Sequence, residues 1–141
     1  MKYGVLLVLL WPITVFSLEP ECPQPRFTDM APQEYLALEN PLRPDRPTLR
    51  AARRLYLGKA DRGPGCAVCH GDQGDGQGPL AASFDPAPRN FTCSRSIRGI
   101  SDGQLFWIIR YGSPGTGMPA HSTLEDAEIW QLVLELRRLA G

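Results

Sequence analysis

Residues 66–71 read Cys66-Ala67-Val68-Cys69-His70-Gly71: two thiols separated by two residues, with an imidazole directly behind the second. A polar loop, Lys59 to Gly65, leads into this run. Gly71 to Gly78 follows it, with four glycines in eight residues. So many glycines cannot hold a helix interior, because each adds backbone freedom and no packing surface. A tight loop is expected there. A phosphate-binding loop is excluded, because Gly74-Asp75-Gly76-Gln77-Gly78 carries an acid, follows no strand and lacks a Lys-Ser/Thr.

Helical patterns lie on both sides. A first helix is expected from near Thr48, which follows Pro47 and can cap it, to Gly58. Ala51, Ala52, Leu55 and Tyr56 fall at helical spacing, and Arg50, Arg53 and Arg54 form its solvated face. A second is expected from about Asp102 to Arg110, with Ser101 as N-cap and Gln104 placed for a capping box. Leu105, Ile108 and Ile109 are its buried stripe. A third is expected from about Leu124 to Leu139, with Ser122 and Glu125 as a second capping-box pair. Its apolar face is Ile129, Leu132, Val133 and Leu136, with acids at its start and Arg137-Arg138 at its end, as the helix dipole favours. No alternating strand pattern is present, so the fold class is all-α.

Cys-x-x-Cys-His is the attachment signature of c-type haem. Two thiols add across the vinyl groups, and the two intervening residues set the span between them. His70 is then placed under the iron as an axial ligand. A thioredoxin-like dithiol needs a neighbouring βαβ pattern, which is missing. A structural zinc site needs four ligands, and Cys22, Cys93 and His121 are too scattered to complete one.

The chain has 141 residues, 15 basic and 15 acidic side chains and no net formal charge, so attraction to nucleic acid is not expected. Residues 1–17 read as a signal peptide: Lys2 supplies the charge, Val5 to Leu10 is unbroken aliphatic, and Val15-Phe16-Ser17 resembles a cleavage site. The rivals are an uncleaved anchor and a lipoprotein at Cys22. The apolar run is short of the about 20 residues a bilayer span takes, Pro12 interrupts it, and Glu19-Pro20-Glu21 does not suit lipobox processing. Export to the periplasm is therefore expected, with no membrane span once the signal is removed. Haem attachment to such motifs occurs outside the cytoplasm, where thiols tend to be oxidised. Cys22 and Cys93 are left as an intramolecular bridge, two free thiols, or a bond from Cys22 to another chain. Spacing alone does not decide among these. Residues 18–47 read as a Pro-rich arm in which Gln33 to Glu39 makes one or two helical turns, and residues 48–141 as the haem domain.

The second axial ligand follows by elimination among His, Met, Cys and Tyr. Beyond the signal, the methionines are Met30, in the arm, and Met118, in the loop Gly115-Thr116-Gly117-Met118-Pro119 between two helices. Glycines there let the backbone approach the macrocycle, and Pro119 stiffens the turn. Met118 is favoured, with His121 or an open position as alternatives. The binding set is thus Cys66, Cys69, His70 and Met118, with iron held by His70 and Met118.

The chain resembles the class I c-type cytochromes, the bacterial monohaem group that includes cytochromes c6 and c-552, over residues 48–140. Leu55-Tyr56, residues 66–71, Asp75-Gly76-Gln77-Gly78-Pro79, Ser101-Asp102-Gly103, Gly117-Met118-Pro119 and Ile129-Trp130 carry the resemblance. It implies one covalent haem c wrapped by three core helices, the first and last crossing near Tyr56. It also implies that the Pro79 carbonyl accepts a hydrogen bond from the His70 ring. The loop from Gly58 to Gly65 and the segment Asn90 to Gly99 depart from the family pattern.

The expected function is single-electron transfer through the haem edge to a dehydrogenase, reductase or oxidase, as a carrier or as a subunit of a complex. The alternative is a haem enzyme with a labile sixth ligand, acting on peroxide, a nitrogen oxide or a sulfur compound. A gas sensor ranks below both, since no output module follows. No catalytic residues are assigned.

Overall fold

The computed structural model describes residues 22–25 and 28–141. The expected signal at residues 1–17 lies outside the described residues. Six α-helices and one 3-10 turn, and no strand, make up the regular structure of the described residues. The all-α expectation is met.

The helices are α1 (Gln33–Leu36), α2 (Arg46–Tyr56), α3 (Ala67–His70), α4 (Ser94–Ile97), α5 (Asp102–Tyr111) and α6 (Asp126–Ala140), with the 3-10 turn at Ala81–Ser83. The largest helix contact is between α2 and α6. Tyr56 on α2 and Ile129 and Val133 on α6 are completely buried. Helix α5 packs on α6 through Phe106 and Trp130, whose rings lie 4.5 Å apart. None of the helices among the described residues is long and apolar enough to cross a membrane.

Three helix boundaries and caps differ from the sequence expectation. Helix α2 starts two residues early, because Asp45 rather than Thr48 is its N-cap. The Asp45 carboxylate accepts from the Thr48 N–H at 2.8 Å, and Pro47 sits in the first turn, where its missing donor does no harm. Helix α6 starts two residues late. Its capping box is Glu125 with Glu128, the Glu125 N–H donating to Glu128 Oε2 at 2.8 Å, while His121 to Leu124 closes a separate turn. Ser101 caps α5 as expected, its hydroxyl accepting from the Gln104 N–H at 3.2 Å. The Gln104 side chain does not complete a box. Its oxygen accepts from the Ala31 N–H at 2.8 Å and its amide donates to the Asp29 carbonyl at 3.1 Å. One amide thus pairs with the buried Ala31 donor and with a carbonyl acceptor of the incoming arm.

Arg53 is also not the free surface group expected of it. Its guanidinium donates to Glu135 Oε1 at 3.1 Å and to the Asp72 carbonyl at 2.6 Å. Glu135 is completely buried on α6 and accepts two further bonds from Arg138, each 2.7 Å. A buried carboxylate is tolerated only when paired in this way. The network ties α2, α6 and the loop after His70 together.

The N-terminal segment is bound to the domain at several points. Cys22 and Cys93 form a disulfide, so the pairing that spacing left open is an intramolecular bridge. Asn40 donates to the Trp130 carbonyl at 2.9 Å. Helix α1 lies on α5, where Gly103 removes the obstacle: a Cβ at that position would stand 1.7 Å from the Tyr35 carbonyl oxygen. The short turn at Gln33–Leu36 falls inside the amphipathic stretch read from the sequence.

Candidate functional site

Cys66, Cys69 and His70 share one short turn of helix. Cys66 is the N-cap of α3, and the His70 N–H closes back on the Cys66 carbonyl at 2.9 Å. Cys66 and Cys69 are the free cysteines of the described residues. Burial pushes the Cys66 thiol up to about 11, and burial also raises Cys69. The turn is held from behind by Tyr56, whose buried hydroxyl donates to the Gly71 carbonyl at 2.8 Å. Burial pushes that phenol well above the ordinary tyrosine range. From the other side, the Gly78 and Leu80 N–H groups donate to the Cys69 and Val68 carbonyls, each at 3.0 Å.

His70 is buried, and its ring stacks on Phe91 with centroids 4.4 Å apart. Its Nδ1 lies 3.0 Å from the Arg89 carbonyl oxygen. A carbonyl only accepts, so Nδ1 carries the proton and Nε2 keeps its lone pair. Burial lowers the imidazole to about 4, so the ring is neutral through the physiological range. The carbonyl is not the one expected. Pro79 is exposed, because its neighbours Gly78 and Leu80 are spent on the end of α3. The chain returns to the ring ten residues later, where the Phe91 N–H donates to the Gly74 carbonyl at 2.6 Å and sets residue 89 beside His70. A backbone acceptor has no side-chain signature, so nothing in the sequence marked Arg89 for this role.

Met118 is half-buried against the hydrophobic core. Its loop is tied by its own backbone: the Ser113 N–H donates to the Met118 carbonyl at 3.1 Å, and the Met118 N–H donates to the Thr116 hydroxyl at 3.2 Å. Gly117 lies against an aromatic ring, since a Cβ there would stand 2.1 Å from Phe84. The arm reaches this loop too, with the Thr28 and Ser113 hydroxyls 2.6 Å apart. His121 sits in the turn before α6, its N–H bonded to the Ile109 carbonyl at 3.1 Å, and shares a concavity with Cys66, Leu55, Leu124 and Leu132. Burial lowers its imidazole as well.

This donor set suits a covalent haem. Two unpaired thiols stand one turn apart, and the histidine beside them is neutral, with Nε2 free to bind a metal. The other two cysteines are committed to a disulfide. Among the described residues no group of three or more His, Cys, Asp or Glu side chains is assembled for a metal ion, which leaves the zinc alternative without a ligand set. The site and the helical frame define a c-type cytochrome.

Residues 49–134 match the family described as cytochrome c oxidase, cbb3-type, subunit III, and the chain belongs to that family of cytochrome c domains. Among solved structures it is similar to a chain of the reducing HAO-like protein complex of Kuenenia stuttgartiensis. The two are 31% identical with a TM-score of 0.60, over 75% of this chain and 49% of that one. The chain therefore spans about half the length of that relative. No curated protein matches it at a significant level. The protein carries haem c, attached through Cys66 and Cys69, and with it the one-electron chemistry of iron.

Proposed function

We propose that the protein transfers single electrons in the periplasm, with His70 and Met118 as the axial ligands of its haem iron. The observation that carries the reading is the His70 hydrogen bond to the Arg89 carbonyl, which presents Nε2 for coordination. When bound, the haem supplies an iron that changes oxidation state by one electron. The chain's own part is to hold the ring in one tautomer, to keep water from it by burial, and to lock Met118 in a self-tied loop. With His70 and Met118 both holding the iron, no position would be left for a substrate, and exchange would run through the haem edge. Periplasmic location is supported by the Cys22–Cys93 disulfide, which persists in oxidising compartments, and by the signal-like run ahead of it. The partner is a second redox protein. The similar chain from Kuenenia stuttgartiensis belongs to a protein complex, which favours a role as a subunit.

Absorption spectra of oxidised and reduced holoprotein, with and without carbon monoxide, test the reading. A thioether-ligated spectrum indifferent to carbon monoxide is expected, and Met118→Ala is expected to open the iron to it while His121→Ala is not. Rapid carbon monoxide binding by the native protein would favour an enzyme with a labile ligand. A native spectrum in Met118→Ala would remove Met118 from the iron.

A further inference from the structure

The carbonyl that receives the His70 proton belongs to the peptide group joining Arg89 to Asn90. The N–H of that same group donates to Gln24 Oε1 at 2.6 Å. Gln24 comes from the arm, 66 positions earlier in the chain. Its side-chain amide also donates to the Pro88 carbonyl at 3.3 Å, so it grips the backbone on both sides of residue 89. Its own backbone is held as well. The Gln24 carbonyl accepts from Arg89 Nη1 at 2.9 Å, and the Gln24 N–H donates to the Ser96 hydroxyl at 3.1 Å. Two residues away, the Cys22–Cys93 disulfide anchors the arm covalently, and Arg95 donates to the Cys22 carbonyl at 2.8 Å.

We infer that Gln24 is a positioning residue for the haem's histidine, acting through the Arg89–Asn90 peptide group to set the orientation and basicity of the His70 ring. This rests on the reading of His70 as an axial ligand. A peptide unit is planar and stiff, so its carbonyl and its N–H cannot turn independently. With the N–H held by Gln24, the carbonyl is aimed at Nδ1. The two bonds also polarise one another, because withdrawing the N–H proton toward Oε1 makes the carbonyl oxygen a stronger acceptor. A stronger acceptor on Nδ1–H makes Nε2 a better donor to the metal, which favours the ferric state. The grip of the domain on this segment comes from the other side, through the Phe91 N–H and the Gly74 carbonyl. Without the Gln24 side chain the N–H of this peptide group loses its bond to Oε1.

The test uses full-length holoprotein. In the reduced, diamagnetic state, proton NMR reads both the ring-current shift of the His70 protons and the exchange rate of Nδ1–H, and redox titration reads the midpoint potential. Gln24→Met keeps the side-chain length and removes both amide bonds. It is expected to speed Nδ1–H exchange roughly tenfold, the scale of one lost hydrogen bond, and to move the potential to a more positive value. Gln24→Ala, measured beside it, should do the same, so that a packing defect peculiar to methionine is not mistaken for the effect. Gln24→Glu retains an acceptor for the Asn90 N–H and should restore slow exchange. Asn40→Ala removes an arm contact elsewhere and should lower stability with exchange and potential unchanged. Native exchange and potential in both Gln24→Met and Gln24→Ala would overturn the inference while leaving the His70 reading intact. His70 protons without a porphyrin ring-current shift in the native protein would overturn that reading, and the inference with it.

Discussion

Single hydrogen bonds decide how the haem-binding turn is held, and Tyr56 makes the clearest of them. Its position on a helical stripe was legible from spacing, and so was its burial. What its hydroxyl does was not legible, because the acceptor is the Gly71 carbonyl, 15 positions ahead in a loop. Tyr56→Phe leaves that carbonyl with the Gly74 N–H, 3.0 Å away, as its remaining donor. A loss of about 0.5–1.5 kcal/mol in unfolding free energy is expected, the net worth of one hydrogen bond where the acceptor keeps a second donor. Denaturant titration of the holoprotein measures it. An unchanged midpoint would show that the Gly74 N–H alone satisfies the Gly71 carbonyl.

At the scale of elements, amphipathic spacing located α2, α5 and α6, and their ends were read less well. Asp45, not Thr48, caps α2, because a carboxylate three residues ahead of a free N–H outcompetes a hydroxyl one turn inside. That bond from the Thr48 N–H holds the Asp45 carboxyl below the usual carboxylate range. A lowered folded-state value means that the ionised form is favoured by folding. The stabilisation is therefore complete above the unfolded-state value, about 3.9 for aspartate, and is lost as pH falls through the lower folded-state value. The native protein should melt above Asp45→Ala at neutral pH, and the gap should close only in acid below that window. Parallel thermal melts across pH check this, and a gap independent of pH would mean that the carboxylate does not act as the cap. Arg53 teaches the same lesson from the packing side. Three arginines in five positions look like one solvated face, yet the middle one is claimed by Glu135, which the fold has buried on α6.

For the whole molecule, the arm is the part that sequence patterning described least. It has no sustained period, and spacing could not pair Cys22 with Cys93. The bridge closes a loop between residues 71 positions apart. Loop-closure entropy for that separation amounts to about 4 kcal/mol, within the roughly 2–5 kcal/mol usual for native disulfides. Replacing both cysteines with serine should cost a sum of that order in denaturant titration. Adding reductant to the native protein should reproduce the cost and leave the double variant unaffected. A double variant as stable as the native chain would show that the Gln24 and Gln104 contacts suffice to hold the arm.

The local pattern of Cys66, Cys69 and His70 determined the cofactor by itself, since the attachment chemistry needs only neighbouring residues on one turn. The three long helices were likewise written in short-range periodicity. The tertiary structure alone decided which carbonyl receives the histidine proton, what pairs with Glu135, and where Gln24 and Gln104 spend their amides. Apart from the Arg138 bonds to Glu135, each of these joins groups far apart in the chain. Their partners are mostly backbone atoms, which every residue carries alike, so only the folded path of the chain could select them.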